Sequence, residues 1–273
     1  MNTVRRLLVD LRAPVARHWN GGDAFRTALF NALSFSFPAG EQFFIDAVRL
    51  GAQSLPDEQS ERSDAELRGF IGQEATHRRI HALFNQHLFA QGLDNRWEAR
   101  IRRRARRLDG VDARAGVGVT AATEHLTAIL ADYLLAQHAT ALAGAEPRLR
   151  DFWLWHASEE LEHRSTAFDL YRAMGGNEKW RRKLFFVVSV NFAVDLCRQT
   201  TRNLWRDGSL WRLSTWASGL RVLGGRNGLL RRCAGPWWRY LGADFHPAQQ
   251  DGSAGERWLA AHAELAPPLG ANG

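Results

Sequence analysis

The chain has very little cysteine and lysine. The first shortage limits its metal and redox chemistry, and the second shows which residue supplies its positive charge. Cys197 and Cys233 are the two cysteines among 273 residues, and their separation matches no metal-binding or redox motif. This shortage of thiolates argues against soft-metal chemistry and suits a reducing compartment. Only Lys179 and Lys183 are lysines, so the net charge of +7 comes from arginine. A basic chain favours anionic partners without identifying them.

Long apolar runs are absent as well. Residues 184–194 give an apolar length of about 11 residues, which is too short for a bilayer, because a bilayer needs about 20. The basic N-terminus is not followed by an apolar segment, so no secretory signal is expected. We therefore expect a cytoplasmic protein, with the inner face of the membrane as an additional peripheral location.

What the sequence does contain is a pair of Glu-x-x-His motifs, Glu74 to His77 and Glu160 to His163. On a helix, residues i and i+3 share a face, so one carboxylate and one imidazole can hold one metal ion. Each motif follows a further glutamate in an apolar periodic segment: Glu41 lies 33 residues before Glu74, and Glu124 lies 36 residues before Glu160. Two such sets could hold two ions.

The turns between these glutamates favour two helical hairpins. Residues of antiparallel helices lie level when both are equally far from the turn. The midpoint of the first pair falls in the turn-like residues 55–59, and that of the second pair is Leu142, just before the glycine and proline of residues 143–147. One glutamate from each of two helices plus Glu-x-x-His from each of two others is typical of ferritin-like di-metal bundles. We therefore predict an all-α, ferritin-like four-helix bundle with additional N-terminal and C-terminal helices and the metal ligands Glu41, Glu74, His77, Glu124, Glu160 and His163.

Three further residues near the motifs remain alternatives. His81 lies four residues beyond His77. We interpret it first as a histidine at the core edge or as a hydrogen-bond partner of a ligand, and second as a ligand itself. Glu159 lies four residues before His163 and three after His156. It could replace Glu160 as a ligand or hydrogen-bond to His156.

Helix boundary signals divide the chain further. A helix is expected over residues 1–20, and a second over 23–34. Ser36 and Pro38 then favour a new helix start, which would put Glu41 in a first turn. Pro147 and the glycines at 175 and 176 bound a long helix that carries the second motif, and Asn177 can cap a fifth helix.

The C-terminal third differs in composition from the bundle. We predict a single domain over residues 1–250, with a helical extension at about 177–245 and a mobile tail at 251–273. Between residues 205 and 240, five tryptophans alternate with arginines, which suits a membrane interface or packing over the bundle equally well. Residues 100–107 contain six arginines. We interpret this cluster as a solvated helix face, with binding to anionic lipid as the second interpretation and binding to nucleic acid as the third.

Carboxylates and imidazoles suit hard or borderline metals, so the expected cofactors are two divalent ions, iron first and manganese or zinc as alternatives. Buried together, four glutamates would repel one another strongly unless they took up protons or metal.

Several segments resemble the bacterial family called predicted metal-dependent hydrolases, relatives of the ferritin-like superfamily. The resembling pieces are residues 37–44, 73–77 with His81, 155–163 and 244–247. The first three contain all the candidate ligands except Glu124, and the last is a short Asp-Phe-His-Pro stretch. The resemblance implies a metal-dependent enzyme, with hydrolysis suggested by the family's label.

Three functions compete at this point. Two ions could activate water for hydrolysis, whereas the ligand set itself favours di-iron oxidation of a hydrophobic substrate with O₂. A non-catalytic iron-binding protein ranks third. The expected partners are a small hydrophobic or amphipathic substrate and a membrane surface; a homodimer is compatible with the sequence, and no specific nucleic acid is expected.

Overall fold

The computed structural model describes residues 2–269, except for the side chains of residues 60 and 62. Its described part is all-α, as predicted. Ten α-helices follow one another in this order: α1 Ala24–Ala52, α2 Asp57–Ala90, α3 Trp97–Ala105, α4 Ala113–Ala141, α5 Pro147–His163, α6 Thr166–Ala173, α7 Glu178–Arg206, α8 Leu213–Gly224, α9 Leu229–Arg239 and α10 Ser253–Ala261.

Helices α1, α2, α4 and α5 form the central bundle. Helix α1 packs on α2 and on α4, and α4 packs on α5. Large side chains fill the interior between them, and Phe35, Phe84, Phe152 and Trp155 have no solvent exposure. The short connections at residues 53–56 and 142–146 lie where the sequence predicts the turns of the two hairpins.

Helix α1 runs through Pro38 without a break, so the predicted helix start there is wrong. Proline lacks an N–H, and the carbonyl four residues earlier, that of Ser34, loses its usual helical partner. Asn85 of α2 donates its side-chain amide to that carbonyl at 2.9 Å. Because this bond replaces the missing one, α1 continues, and Glu41 lies inside a long helix rather than in a first turn.

The N-terminal segment is also not the predicted helix. Residues 2–20 contain no helix, and their backbone pairs with residues 265–269, with Arg6 N–H donating to Pro267 at 2.9 Å. The segment crosses α2 at Gly69 and Gly72, where an added Cβ would lie 2.4 Å from Asn2 O and from Val4 Cγ2 respectively. Close approach to α2 therefore requires glycine at these two positions, and the extended segment is stabilised by tertiary contacts that override local helix propensity.

The C-terminal third contains the predicted helical extension. Asn177 caps α7 by accepting from Trp180 N–H. The second Glu-x-x-His helix ends earlier than expected, at His163, and α6 follows it. Where a mobile tail is predicted, α10 packs against α5 and buries Leu259. Residues 270–273 of that predicted tail lie outside the described residues.

Helices α7 to α9 and the connection between α7 and α8 carry many exposed apolar side chains. Trp211, Leu213 and Trp238 are 85%, 88% and 70% exposed. Packing over the bundle therefore does not account for most of the tryptophans between residues 205 and 240. No helix in the described part of the chain is both long enough and apolar enough to span a bilayer.

The substitute bond at Pro38 can be tested with a double-mutant cycle. Asn85→Leu should cost about 1–3 kcal/mol of unfolding free energy because the buried Ser34 carbonyl loses its donor. In the Pro38→Ala background the new N–H can reach that carbonyl, so the same substitution should cost about 1 kcal/mol less. Urea unfolding measures both values, and an equal cost in the two backgrounds would contradict the account.

Candidate metal centre

The six residues predicted as metal ligands lie together in the bundle core. Helix α1 supplies Glu41, α2 supplies Glu74 and His77, α4 supplies Glu124, and α5 supplies the remaining two. All six are buried, with exposures of 4% or less. The glutamates therefore meet across the bundle as the hairpin argument predicts, although the turns lie off the predicted midpoints, so Glu41 is nearer to its turn than Glu74, and Glu160 is nearer than Glu124.

Distances within this cluster are short. His163 Nε2 lies 3.2 Å from Glu74 Oε1 and 3.1 Å from Glu124 Oε2. His77 Nδ1 lies 3.8 Å from Glu74 Oε1 and 3.7 Å from Glu160 Oε1. Ligand-type atoms of Glu41, Glu74 and His77 lie within 4.8 Å of one another, as do those of Glu74, Glu160 and His163. Glu74 belongs to both groups.

The atoms that face the centre of the cluster lack hydrogen-bond partners. Both carboxylate oxygens of Glu41, Glu74 and Glu124 are buried without a partner, as are Glu160 Oε2, His77 Nδ1 and His163 Nε2. Buried polar atoms nearly always have a hydrogen-bond partner. So many unpartnered oxygen and nitrogen atoms at one point need a cation to balance their negative charge. Oxygen and imidazole donors together fit iron, manganese or zinc.

Outer hydrogen bonds fix which nitrogen of His77 and His163 faces the cluster. His77 Nε2 donates to Glu159 Oε2 at 3.0 Å, which leaves Nδ1 bare and turned inward. His163 Nδ1 donates to Gln73 Oε1 at 3.0 Å, which leaves Nε2 bare. Ligating histidines usually donate their other N–H to such an acceptor. Each ring therefore turns toward the cluster the nitrogen that could bind a metal ion once it carries no proton.

A third histidine, His156, presents a bare nitrogen to the same cluster. Ser34 donates its hydroxyl to Asn85 at 2.7 Å, so the same oxygen accepts from His81 Nδ1 at 2.8 Å. His81 Nε2 must then accept from His156 Nδ1, also at 2.8 Å. This chain leaves His156 Nε2 without a proton and 3.0 Å from Glu160 Oε1. Two facing lone pairs at that distance also call for a cation.

The structure places the three alternative residues differently from one another. His156 faces the cluster, where it forms a further group with His77 and Glu160. His81 groups geometrically with Glu41 and His156, but both its ring nitrogens already hydrogen-bond to Ser34 and His156, so it acts as an outer partner. Glu159 lies beyond His77, and its oxygens pair with that histidine and with Arg5.

Arg5 and Gln73 belong to this surrounding network and were not found from the sequence. Arg5 pairs with Glu159 at 3.2 Å and with Glu162 at 2.6 Å, and Gln73 donates to Glu162 at 2.6 Å. One signal was available: Gln73 and Glu159 each directly precede the glutamate of a Glu-x-x-His motif. In the fold, each of them holds the histidine of the other motif.

The charges of the cluster shift its pKa values in opposite directions. Burial, together with neighbouring carboxylates, raises the pKa of Glu41 and Glu124 well above the usual value and that of Glu74 to about 7. Burial disfavours the protonated form of His77, but the hydrogen bond to Glu159 and the nearby carboxylate of Glu74 outweigh it and raise the pKa of this histidine. Burial lowers the pKa of His156 to about 4. The metal-free cluster therefore retains protons that bound cations would displace.

Fold and cluster together define an all-α helical bundle whose core presents groups that could hold a metal ion. The profile of one family, described as "Predicted metal-dependent hydrolase", matches residues 3–251. The chain belongs to this family. No curated protein and no solved structure matches the chain significantly.

Metal-free protein should lose stability as the pH rises above about 7.5, where unfolded histidines no longer titrate. Folded Glu41, Glu124 and His77 keep protons that the unfolded chain has released, so the folded state binds more protons and the unfolding free energy falls with rising pH. Three groups with lowered pKa values, His81, His156 and Glu160, are deprotonated in both states only above about pH 7.5, one unit above the ordinary histidine pKa, and they add no slope there. Chemical unfolding with chelator present measures the trend.

Metal-loaded protein is the control for this pH series. Bound cations replace the retained protons, so the decline should disappear or reverse after loading. A metal-free protein whose stability rises over the same pH range would contradict the cluster's electrostatics.

Glu159→Leu should weaken metal binding roughly 10–100-fold, because His77 loses the acceptor that fixes its tautomer. Glu159→Gln keeps a side-chain oxygen for the same N–H and should retain most of the affinity. Competition with a chromophoric chelator measures both variants. Equal affinity in the Leu variant and the parent would show that the outer bond does not orient His77.

Proposed function

We propose that this protein is an enzyme with a dinuclear metal centre, held by Glu41, Glu74, His77, Glu124, Glu160, His163 and His156. The observation that carries the proposal is the convergence of buried, unpartnered carboxylate oxygens and bare imidazole nitrogens on one point of the bundle core. Iron is the preferred metal, with manganese or zinc as alternatives, because the donors are oxygen and imidazole nitrogen. A relation to ferritin-like di-iron proteins is part of the same proposal.

The chain's own residues have separable roles in this centre. Glu41 and His77 would hold one ion, and Glu124 and His163 the other. Glu74 and Glu160, which approach histidines of both motifs, would lie between the two. Bound there, the ions would supply either a Lewis acid and activated water for hydrolysis or electrons for the reduction of dioxygen.

An apolar space beside the cluster favours oxidation as the reaction. We call it the inner chamber: a cavity of about 60 Å³ that reaches His156 and Glu160 and is walled mainly by apolar side chains such as Leu33, Phe37 and Trp153. That volume accommodates only a few atoms. Such a wall suits dioxygen and the end of a hydrocarbon chain better than a polar ester or phosphoester. We therefore propose O₂-dependent oxidation of a hydrophobic substrate, with electrons from an external donor.

Hydrolysis is the second candidate, and the family description supports it. Here the same residues would hold the ions, and the substrate's carbonyl or phosphoryl group would have to enter the inner chamber. The exposed arginines and tryptophans of the C-terminal third support a further proposal, that the protein works against a membrane surface.

Turnover measurements under two atmospheres separate the candidates. Iron-loaded protein should consume O₂ faster when a hydrocarbon-chain substrate and an electron donor are present. Product release without O₂ would favour hydrolysis instead. Oxidation of ferrous iron without any organic turnover would contradict the enzyme proposal and favour an iron-binding role.

Elemental analysis of the purified protein should find about two metal ions per chain, as expected for a two-metal site. Glu160→Ala should bring that content below one ion per chain with little loss of helicity, since one proposed bridge is removed. Glu256→Ala, which removes a carboxylate from α10, is the control and should leave the content unchanged. Unchanged metal content in Glu160→Ala would contradict the assignment of Glu160.

A further inference from the structure

We propose that a groove between α1, α3, α4 and α7 binds a single-chain anionic amphiphile, with its charged head at Arg107 and its apolar chain directed to the inner chamber. The groove has a volume of about 380 Å³, within the range of small-molecule sites. That this ligand is the substrate rests on the proposed function; that it binds does not.

The walls of the groove are apolar along most of their length. Phe43 and Phe44 of α1, Trp97 and Ile101 of α3, and Val188 of α7 line it. Trp97 is only 2% exposed, so it forms a fixed wall. A hydrocarbon chain gains free energy in such a groove in proportion to the apolar area that it buries.

Positive charge is confined to one part of this lining. Arg104 and Arg107 line the groove, and none of the described residues that line it is acidic. Arg104 shares the buried carboxylate of Asp195 with Arg100, so two guanidinium groups face one negative charge. Arg107 is exposed and has no ion pair with any described side chain. An anionic head would therefore meet uncompensated positive charge here.

The course of α3 puts this charge at the end of the groove away from the inner chamber. Helix α3 begins at Trp97, whose ring lies 5.4 Å from that of Phe192, and Arg107 follows its C-terminal end. Phe192 also lines the inner chamber, together with Phe37 and Thr127, so the two spaces adjoin there. The Phe37 ring lies 4.5 Å from that of His156.

The orientation of the ligand follows from this arrangement. A chain whose head lies at Arg107 extends past Trp97 and presents its apolar end to the inner chamber. The reacting position would then be a carbon remote from the charged group. This deepens the proposed oxidation, because the apolar end of the ligand, not its carboxyl or phosphate head, would face the inner chamber beside His156 and Glu160.

Calorimetric titration of the full chain, as purified, tests the site with three probes that share one hydrocarbon chain. Decanoate is anionic, decanol is neutral, and decyltrimethylammonium is cationic; each is used below its micelle concentration. Decanoate should bind roughly three- to tenfold more tightly than decanol, the range expected for a charge-assisted contact. The cationic probe should bind most weakly. Equal affinity for all three would overturn the charged head site.

Two arginines of the same cluster provide a matched pair of variants. Arg107→Ala should weaken decanoate binding roughly three- to tenfold and leave decanol binding unchanged. Arg103→Ala removes the same charge from an exposed position of α3 that does not line the groove, and it should change neither. Equal losses in the two variants would mean that the total charge, not this site, attracts the anion.

Two valines of α7 separate the groove from general adsorption to the exposed apolar surface. Val187 and Val190 are 47% and 48% exposed, but only Val187 lines the groove. Val187→Glu should weaken decanoate binding, whereas Val190→Glu should not. If both variants weaken decanoate binding equally, or if vesicles of anionic phospholipid bind while decanoate does not, the groove is not the site and a bilayer surface is the better interpretation.

Metal analysis of the same samples keeps this inference distinct from the proposed function. Normal metal content without decanoate binding would overturn the groove site alone. Decanoate binding by a protein that retains no metal after reconstitution would overturn the dinuclear centre and leave the groove site standing.

Discussion

Mutual repulsion among buried carboxylates is the constraint on which the structure depends. Glu41, Glu74, Glu124 and Glu160 come from four different helices and meet where water does not compensate them. Without cations, three of the four have raised pKa values and retain protons. A bundle core normally gains stability from apolar contacts, whereas this one contains a cluster that favours folding only with protons or metal in place.

The surrounding hydrogen bonds extend this constraint to the rest of the fold. Three histidines each donate one N–H outward, to Glu159, Gln73 and His81, and keep the other nitrogen bare. Arg5 in turn holds Glu159, so the extended N-terminal segment supports the proposed ligands from outside the bundle. Asn85 likewise makes two bonds to Ser34 of α1. Its amide donates to the Ser34 carbonyl and so supports the helix at Pro38, and its oxygen accepts from the Ser34 hydroxyl, which fixes the orientation of His156 through His81.

Much of the bundle and the cluster could be predicted because helical spacing and turn position are local properties. Glu41 and Glu74 lie on successive helices joined by one short turn, and sequence spacing is sufficient to predict that they meet, although Glu41 lies nearer to the turn than Glu74. The passage of α1 through Pro38 was not predictable, because the donor that replaces the lost bond lies on another helix. The role of His156 was left open for the same reason: its tautomer depends on Ser34, His81 and Asn85, from two different helices. The position of the N-terminal segment depends on glycines of α2 whose purpose appears only in the fold.

Anomalous diffraction from crystals of the iron-loaded protein, collected at the iron absorption edge, tests the central claim most directly. The account predicts two peaks, roughly 3.5–4 Å apart, in the space enclosed by the four glutamates. It further predicts that the three bare histidine nitrogens, those of His77, His156 and His163, point at these peaks. A single peak in that space, or metal bound only elsewhere on the chain, would contradict the dinuclear centre.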